Sequence, residues 1–209
     1  MYEKYIDYTN LKPDASDADI ERLCNEAKAA GCASVCVNPC HIHLVKSLLQ
    51  GSPVKICTVV GFPLGATFAT VKVAETKQAI SYGAEEIDMV INIGRVKSAR
   101  YRHVRDEIKA VADVCHKHNV VLKVIIETCL LTEDEKRQVI QIVATSGADF
   151  VKTSTGFSTG GATVEDIKLM KEIVGDNIKI KASGGVRDAE FAKKLIKAGA
   201  SRIGSSKLF

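Results

Sequence analysis

The sequence lacks long runs of any one chemical character. No apolar stretch approaches the roughly 20 residues that a membrane-spanning helix needs. The basic residues are spread along the 209-residue chain without a run of five or more, and the net charge is only +4. These absences argue against a membrane protein and against a basic arm that binds nucleic acid.

A signal-peptide core and a disulfide framework are missing as well. Residues 1–14 are polar and acidic, without the apolar centre of a secretion signal. The seven cysteines are odd in number and scattered in spacing, which indicates reduced thiols and predicts a cytoplasmic location. Zinc-ligand residue types do cluster at Cys32, Cys36, Cys40, His41 and His43, but their spacing matches no common zinc knuckle, so no metal is predicted.

What the sequence contains is a strict alternation of strand-like and helix-like segments. Apolar runs predict strands at residues 5–9, 34–37, 54–60, 86–92, 120–127, 150–153, 179–183 and 202–206. Helical periodicity predicts seven helices at 16–30, 41–49, 67–82, 101–118, 132–147, from 163 onward, and at 187–198. Ser16 with Asp19 and Thr132 with Glu135 have the spacing of capping boxes.

This alternation predicts parallel strands joined by helical crossovers. Eight repeats of about 25 residues fill the chain, so we predict a single (β/α)8 TIM-barrel domain over residues 1–209, with its final helix truncated. A doubly wound open sheet is the alternative. It usually carries a Gly-rich turn after the first strand, where this chain has Leu11-Lys12-Pro13.

Charged residues interrupt the apolar strands at three places. Asp88 lies within the fourth predicted strand, and Lys152 and Lys181 follow apolar pairs in the sixth and seventh. A lysine among apolar neighbours is costly unless it is paired or used, and catalytic residues of barrel enzymes lie at the carboxyl ends of strands. Each residue alone is equally consistent with an ordinary ion pair, but the two lysines on successive strands together favour a catalytic role.

The turns after these strands are rich in glycine and hydroxyl groups. They cover residues 152–161, 181–185 and 204–206. Backbone amides in such turns bind phosphate, and the loops after strands seven and eight commonly do so in these barrels. A neighbouring cation favours the neutral amine of a lysine, which can then form a Schiff base with a carbonyl. Two lysines and one aspartate thus suffice for aldol chemistry without a metal or other cofactor.

At these residues the sequence resembles the deoxyribose-phosphate aldolase family. The resemblance extends over nearly the whole chain, and its most specific motifs are VKTSTG at 151–156, KASGG at 181–185, EIDMVINIG at 86–94, KVIIET at 123–128 and GFPLG at 61–65. It implies reversible cleavage of 2-deoxy-D-ribose 5-phosphate to glyceraldehyde 3-phosphate and acetaldehyde, within deoxyribose phosphate catabolism.

The resemblance also assigns roles to residues. It makes Lys152 the Schiff-base lysine, Lys181 the second lysine that perturbs it, and Asp88 the proton donor and acceptor. It places at the substrate and its phosphate the residues Thr155, Gly156, Gly184, Gly185, Ser205 and Ser206. Asp7 and Cys36 match more peripheral site positions, although Cys36 is equally well a small buried core residue.

Four features depart from the family or from a regular barrel. Phe157 replaces a lysine that assists phosphate binding in some members, so the phosphate is expected to rely more on amides and hydroxyls. The opening at residues 7–11 is DYTNL where the family usually has DHTLL. Lys179 shares the parity of Lys181, which predicts a partner such as Glu127 or Asp149, or an irregular strand.

The fourth feature is the short segment after the last predicted strand. Residues 207–209 cannot form an eighth helix. We therefore expect an open apolar seam between the last strand and the first, self-association into a homo-oligomer such as a dimer, and weak preference for the phosphorylated sugar. The alternative is that Leu208 and Phe209 fold back and cover the seam themselves.

Overall fold

The computed structural model describes residues 3–208 and forms a closed barrel of eight parallel strands in chain order. The strands are β1 (Ile6–Asn10), β2 (Ser34–Val37), β3 (Lys55–Val60), β4 (Glu86–Val90), β5 (Val121–Ile125), β6 (Phe150–Lys152), β7 (Lys179–Ser183) and β8 (Arg202–Ser205). The predicted TIM barrel is therefore confirmed, and the doubly wound alternative is excluded because β1 pairs with β8.

Eight α-helices occupy the crossovers of the described chain. They are α1 (Asp17–Ala30), α2 (Ile42–Leu48), α3 (Ala69–Tyr82), α4 (Ile93–Lys97), α5 (Tyr101–Lys117), α6 (Glu133–Ala144), α7 (Val164–Val174) and α8 (Ala189–Ala198). Short 3-10 helices lie at Glu3–Tyr5, Pro39–His41 and Thr128–Leu130. Every crossover has one main helix, as predicted, and the β4–α5 connection holds the additional short α4.

Local capping chemistry explains where several helices begin. The capping boxes at Ser16 and Thr132 are both formed, with backbone and side-chain hydrogen bonds to Asp19 and Glu135. Asn92 was expected within a strand, but its side chain accepts a hydrogen bond from the Arg95 amide and caps α4. The prediction of a strand through residue 92 is therefore wrong, because an asparagine after an apolar run serves as a helix cap.

The fifth strand also ends earlier than predicted. Glu127 has a φ of 53°, in the left-handed region, so the chain leaves the extended conformation after β5. The predicted strand at 120–127 is therefore too long, because β5 covers only Val121–Ile125 and the following residues turn toward the site. Glu127 stands at the end of this turn, directly before the 3-10 helix Thr128–Leu130.

Apolar side chains fill the layer between the barrel and its surrounding helices. The outward-facing residues of the strands pack there against the buried faces of the helices in one continuous cluster. The interior of the barrel is different, because it contains a small apolar group of Leu11, Cys36, Cys57 and Val59 beside many buried charged side chains. Among residues 3–208, no helix combines the length and apolar character that a membrane crossing requires.

The seam between β8 and β1 is closed in the described part of the chain. The strands pair through Ile6 with Ile203 and Tyr8 with Ser205, and Leu208 packs against the apolar core. The large exposed apolar side chains of residues 3–208 lie elsewhere, at Leu64, Phe68, Val71, Tyr82, Leu130 and Phe157. The predicted open apolar seam is therefore wrong, because Leu208 folds back; Phe209 lies outside the described residues.

Candidate active site

Strand register brings the three predicted catalytic residues into one layer of the barrel interior. Lys152 on β6 is the Cα partner of Lys181 on β7, so the two side chains point to the same side of the sheet. Asp88 on β4 is likewise the partner of Lys123 on β5. Inward-pointing residues of neighbouring strands thus converge on the barrel axis.

The carboxylate of Asp88 is the centre of this layer. Its Oδ2 accepts hydrogen bonds from Lys152 Nζ at 2.6 Å and from Lys181 Nζ at 2.7 Å. Its Oδ1 accepts one from Lys123 Nζ at 2.9 Å. Asp88, Lys123 and Lys181 are fully buried, and Lys152 is 3% exposed. The three predicted residues therefore meet on one carboxylate oxygen.

Beneath them lies a second set of charges whose role the sequence did not reveal. Lys123 Nζ lies 2.6 Å from a carboxylate oxygen of Glu86, and Arg202 Nη1 lies 3.0 Å from the same group. Asp7 contacts Arg202 Nη1 at 2.6 Å and Lys181 Nζ at 2.5 Å. Glu86 lies two residues before Asp88 and shares its inward parity, and this spacing is the signal that sequence reasoning missed.

The connected interior carries one more cation than anion when every group is ionised. The basic members are Lys123, Lys152, Lys181 and Arg202, and the acidic members are Asp7, Glu86 and Asp88. An uncompensated charge is costly in a buried environment. Loss of one proton from a lysine would make the cluster electrically neutral, so the interior favours one neutral amine.

The three lysines differ in the number of carboxylates that surround them. Lys181 has two carboxylate partners and Lys123 has three, whereas Lys152 has Asp88 alone within ion-pair distance. Burial alone would lower the pKa of Lys181, but attraction to Asp7 and Asp88 raises it above its ordinary value. Lys152 is thus the least supported ammonium of the three and also the most exposed.

The same attraction keeps Asp88 ionised. Burial alone would raise its pKa, but the three neighbouring ammonium groups outweigh burial and hold that pKa well below its usual range. The carboxylate is therefore the resting form. It can pass a proton between groups on Oδ2, but it does not store one.

A cavity of about 560 Å³ opens above Lys152 at the carboxyl ends of the strands. All of the residues predicted to contact the substrate or its phosphate line it, namely Thr155, Gly156, Gly184, Gly185, Ser205 and Ser206. Phe157 also lines the cavity and packs edge-on against Phe62, with ring centroids 5.3 Å apart. The predicted site residues thus surround one space with Lys152 at its floor.

Four basic residues on the cavity wall were not anticipated, namely Lys12, Arg22, Arg187 and Lys207. Arg187 follows the Gly184–Gly185 turn and Lys207 follows Ser205 and Ser206. These side chains bring positive charge to the wall that also holds the amides and hydroxyls on which the phosphate was expected to rely more. A basic residue shortly after each of the last two Gly/Ser turns was the available signal.

The loop that follows Lys152 at the end of β6 is held from below by Glu127. Its carboxylate accepts a hydrogen bond from the Thr155 hydroxyl and one from the Thr155 amide at 3.3 Å. Gly161 and Gly184 approach so closely that a Cβ on Gly161 would lie 2.2 Å from the Gly184 carbonyl oxygen. The loops after β6 and β7 therefore form one unit that only glycine permits.

The remaining predicted residues fall in different places. Asp7 is part of the buried network through Lys181, and Cys36 is buried beside Cys57. Lys179 contacts neither Glu127 nor Asp149 as an ion pair; it is exposed at the start of β7, with its Nζ 5.6 Å from the centroid of the Phe150 ring. Its predicted partnership is therefore wrong, because the strand begins at the solvent-facing end of the barrel.

Comparison with known proteins agrees with this geometry. Residues 4–206 match a family model described as DeoC/LacD family aldolase. The chain belongs to this family of aldolases. It is 60% identical over 203 residues to a deoxyribose-phosphate aldolase of Clostridium perfringens, covering 97% of this chain and 90% of that protein.

Solved structures give the same result. A structure titled QR15, an aldolase, superposes with a TM-score of 0.92 at 44% identity, covering 98% of this chain and 90% of that one. A deoxyribose phosphate aldolase from Aeropyrum pernix, described as tetrameric, gives 0.91 at 31% identity, covering 98% and 86%. The predicted family and enzyme class, an aldolase acting as a lyase, are confirmed.

Proposed function

We propose that this aldolase reversibly cleaves 2-deoxy-D-ribose 5-phosphate to D-glyceraldehyde 3-phosphate and acetaldehyde, through a Schiff base on Lys152. The observation that carries the proposal is the placement of Lys152 at the floor of the cavity as the least supported ammonium of a cluster with one excess positive charge. The relatives named deoxyribose-phosphate aldolase support the choice of substrate.

The chemistry follows from Lys152 and the groups that meet on Asp88 Oδ2. Neutral Lys152 attacks the aldehyde carbon of the open-chain sugar, and loss of water gives an iminium ion. The C3 hydroxyl then loses its proton while the C2–C3 bond breaks, which releases C3 as the aldehyde of glyceraldehyde 3-phosphate. The electron pair of the broken bond moves into the iminium and forms an enamine. Protonation at C2 and hydrolysis release acetaldehyde. Asp88 and Lys181 exchange these protons. Asp88 Oδ2 contacts the Lys152 nitrogen directly, and Lys181 Nζ contacts the same oxygen.

Borohydride trapping tests the nucleophile. Acetaldehyde with borohydride should add an ethyl group to the peptide that contains Lys152, because reduction fixes the iminium nitrogen. The Lys152→Met variant keeps a long unbranched side chain and should show no adduct. An adduct on Lys181 or Lys123 instead, or none at all, would overturn the assignment.

The phosphate wall has its own test. We infer that Arg187 and Lys207 add positive charge to the amides of the glycine turns, so the enzyme prefers the phosphorylated sugar. Arg187→Ala should lower the ratio of kcat/KM for deoxyribose 5-phosphate over deoxyribose by roughly tenfold or more, the usual scale for a hydrogen bond to a charged group. Lys168→Ala, an exposed lysine outside the cavity, is the matched control. An unchanged ratio in Arg187→Ala would remove this residue from the site.

Two further proposals concern the setting of the enzyme. We propose a cytoplasmic role in deoxyribose phosphate catabolism, supported by seven free cysteines. We also propose self-association, supported by the exposed side chains of Leu64, Phe68 and Val71 rather than by the seam between β8 and β1. Light scattering tests the second proposal, and a monomer at all accessible concentrations would contradict it.

A further inference from the structure

Two thiols lie beside the catalytic carboxylate, and the aldol mechanism uses neither of them. Cys36 on β2 and Cys57 on β3 are Cα partners in adjacent strands, and both are fully buried. Their sulfur atoms and one carboxylate oxygen of Asp88 all lie within 4.8 Å of one another. Cys57 Sγ donates a hydrogen bond to Asp88 Oδ1 at 3.3 Å.

We propose that Cys36, Cys57 and Asp88 form a binding site for a soft divalent cation such as Cd²⁺ or Zn²⁺, and that occupation of this site inhibits the aldolase. Thiolate sulfur is the preferred protein ligand of such ions, and a carboxylate oxygen commonly completes the set. Metal–sulfur bonds are about 2.3 Å long, so two sulfurs and an oxygen at these separations can share one ion.

The charges of the interior permit this exchange. Each thiol loses its proton to solvent and forms a sulfur–metal bond, so two protons leave as one divalent cation enters. The net charge of the buried cluster is therefore unchanged.

The arrangement around Asp88 explains why the ion would inhibit. Cys57 Sγ contacts Oδ1, whereas Lys152 and Lys181 donate to Oδ2. Lys123 Nζ donates to Oδ1 at 2.9 Å and to Cys57 Sγ at 3.3 Å, so it must move aside when the ion binds. Glu86 at 2.6 Å remains as the ion-pair partner of Lys123. A cation on Oδ1 withdraws negative charge from the carboxylate that exchanges protons with the two catalytic lysines.

The two thiols lie one apolar residue away from the substrate cavity. Leu11 lines the cavity and also belongs to the apolar group that contains Cys36 and Cys57. Lys152 lines the same cavity and contacts Asp88 directly. The side chain of Leu11 therefore separates the Cys36 and Cys57 thiols from the cavity.

Cadmium titration of the intact enzyme tests the proposal. The two exposed thiols are first removed as Cys40→Ser and Cys129→Ser, so that surface binding does not interfere. We expect one Cd²⁺ per chain, a sulfur-to-cadmium charge-transfer band in the ultraviolet, and inhibition that Mg²⁺ does not reproduce. The band needs no activity, so it tests this inference separately from the proposed function on which the inhibition measurement depends.

Variants then locate the site. Cys57→Ser keeps the size and the hydrogen-bond donor but removes the soft ligand. The Cd²⁺ concentration that halves the variant's own metal-free rate should rise by more than about tenfold. Changes to residues that only support a metal ligand already cost 10–100-fold in affinity. Cys57→Ala provides the same test if the serine variant folds poorly. Cys115→Ala, a buried thiol on α5 outside this group, is the control and should retain full sensitivity. Equal sensitivity of Cys57→Ser and the parent, or absence of the band, would overturn the proposal.

Discussion

Replacing Lys181 with methionine should move the enzyme's activity toward alkaline pH. The methionine keeps an unbranched side chain of similar length but removes the ammonium from Asp88 Oδ2. Lys152 then remains beside the carboxylate, and the buried cluster is neutral with Lys152 protonated. The driving force that favours the neutral amine of Lys152 is lost.

The magnitude follows from the geometry. Lys152 Nζ and Lys181 Nζ contact the same oxygen at 2.6 and 2.7 Å, so the two nitrogens are at most about 5 Å apart. At the effective dielectric constant of about 20 that suits protein sites, two like charges at this separation repel by about 3 kcal/mol. This corresponds to about two pH units. At neutral pH the rate of Schiff-base formation should fall roughly 100-fold.

The assay is single-turnover trapping with acetaldehyde and cyanoborohydride across a pH series. The midpoint of the rise in trapping rate should lie about two units higher in Lys181→Met than in the parent. Lys181→Arg keeps the positive charge and serves as the control, with a much smaller displacement expected. A midpoint that does not move in Lys181→Met would show that the two amines do not interact through charge.

Four further predictions test other parts of the structure. Asp88→Asn should lower kcat/KM by about 10²–10⁴, the range for a proton-transfer group, and a near-parental rate would demote Asp88 to a structural role. Gly204→Ala should impair activity because its Cβ would lie 2.8 Å from the Ser183 Cβ and 3.3 Å from Lys181 Cε, whereas Gly94→Ala meets nothing closer than 3.5 Å and should be tolerated. Lys72→Met should lower the free energy of unfolding in urea by about 3–5 kcal/mol, because it leaves buried Glu107 without the Lys72 ammonium at 2.9 Å. Restored stability in Lys72→Met/Glu107→Leu would support this reason, and a single variant as stable as the parent would contradict it. The raised pKa values of Lys123 and Lys181 stabilise the fold fully below their ordinary value of 10.5, so Tm should fall as pH rises above that value; a flat Tm there would exclude their contribution.

The barrel itself was predictable because its signals are local. Alternating apolar strands and amphipathic helices fix parallel topology through the crossover rule, and caps such as the Ser16 box mark helix starts. The missed helix α4 has only five residues, too few for a periodic pattern. Its cap, Asn92, follows an apolar run and therefore gave no signal apart from its residue type.

The site was only partly predictable, for a physical reason. Lys152, Lys181 and Asp88 were identifiable because charge within an apolar strand is costly. Their partners are set by strand register and by distances across the barrel, as between Arg202 on β8 and Glu86 on β4. Neither quantity is present in local sequence patterns, so the balance of buried charge could not be counted in advance.

That balance supports the proposed role of Lys152 more fully than the presence of a second lysine does. A lysine pair on one carboxylate would by itself leave the choice of nucleophile undecided. Asp7 resolves it, because Asp7 supports the ammonium of Lys181 at 2.5 Å and has no ion-pair contact with Lys152 among the described residues. Burial alone would raise the pKa of Asp7, but Lys181, Lys123 and Arg202 together hold it below its usual range, with Arg202 Nη1 at 2.6 Å on the side away from Lys181. In the proposed mechanism, the residues at the base of the barrel therefore decide which lysine is free to react, although they lie outside the cavity above Lys152.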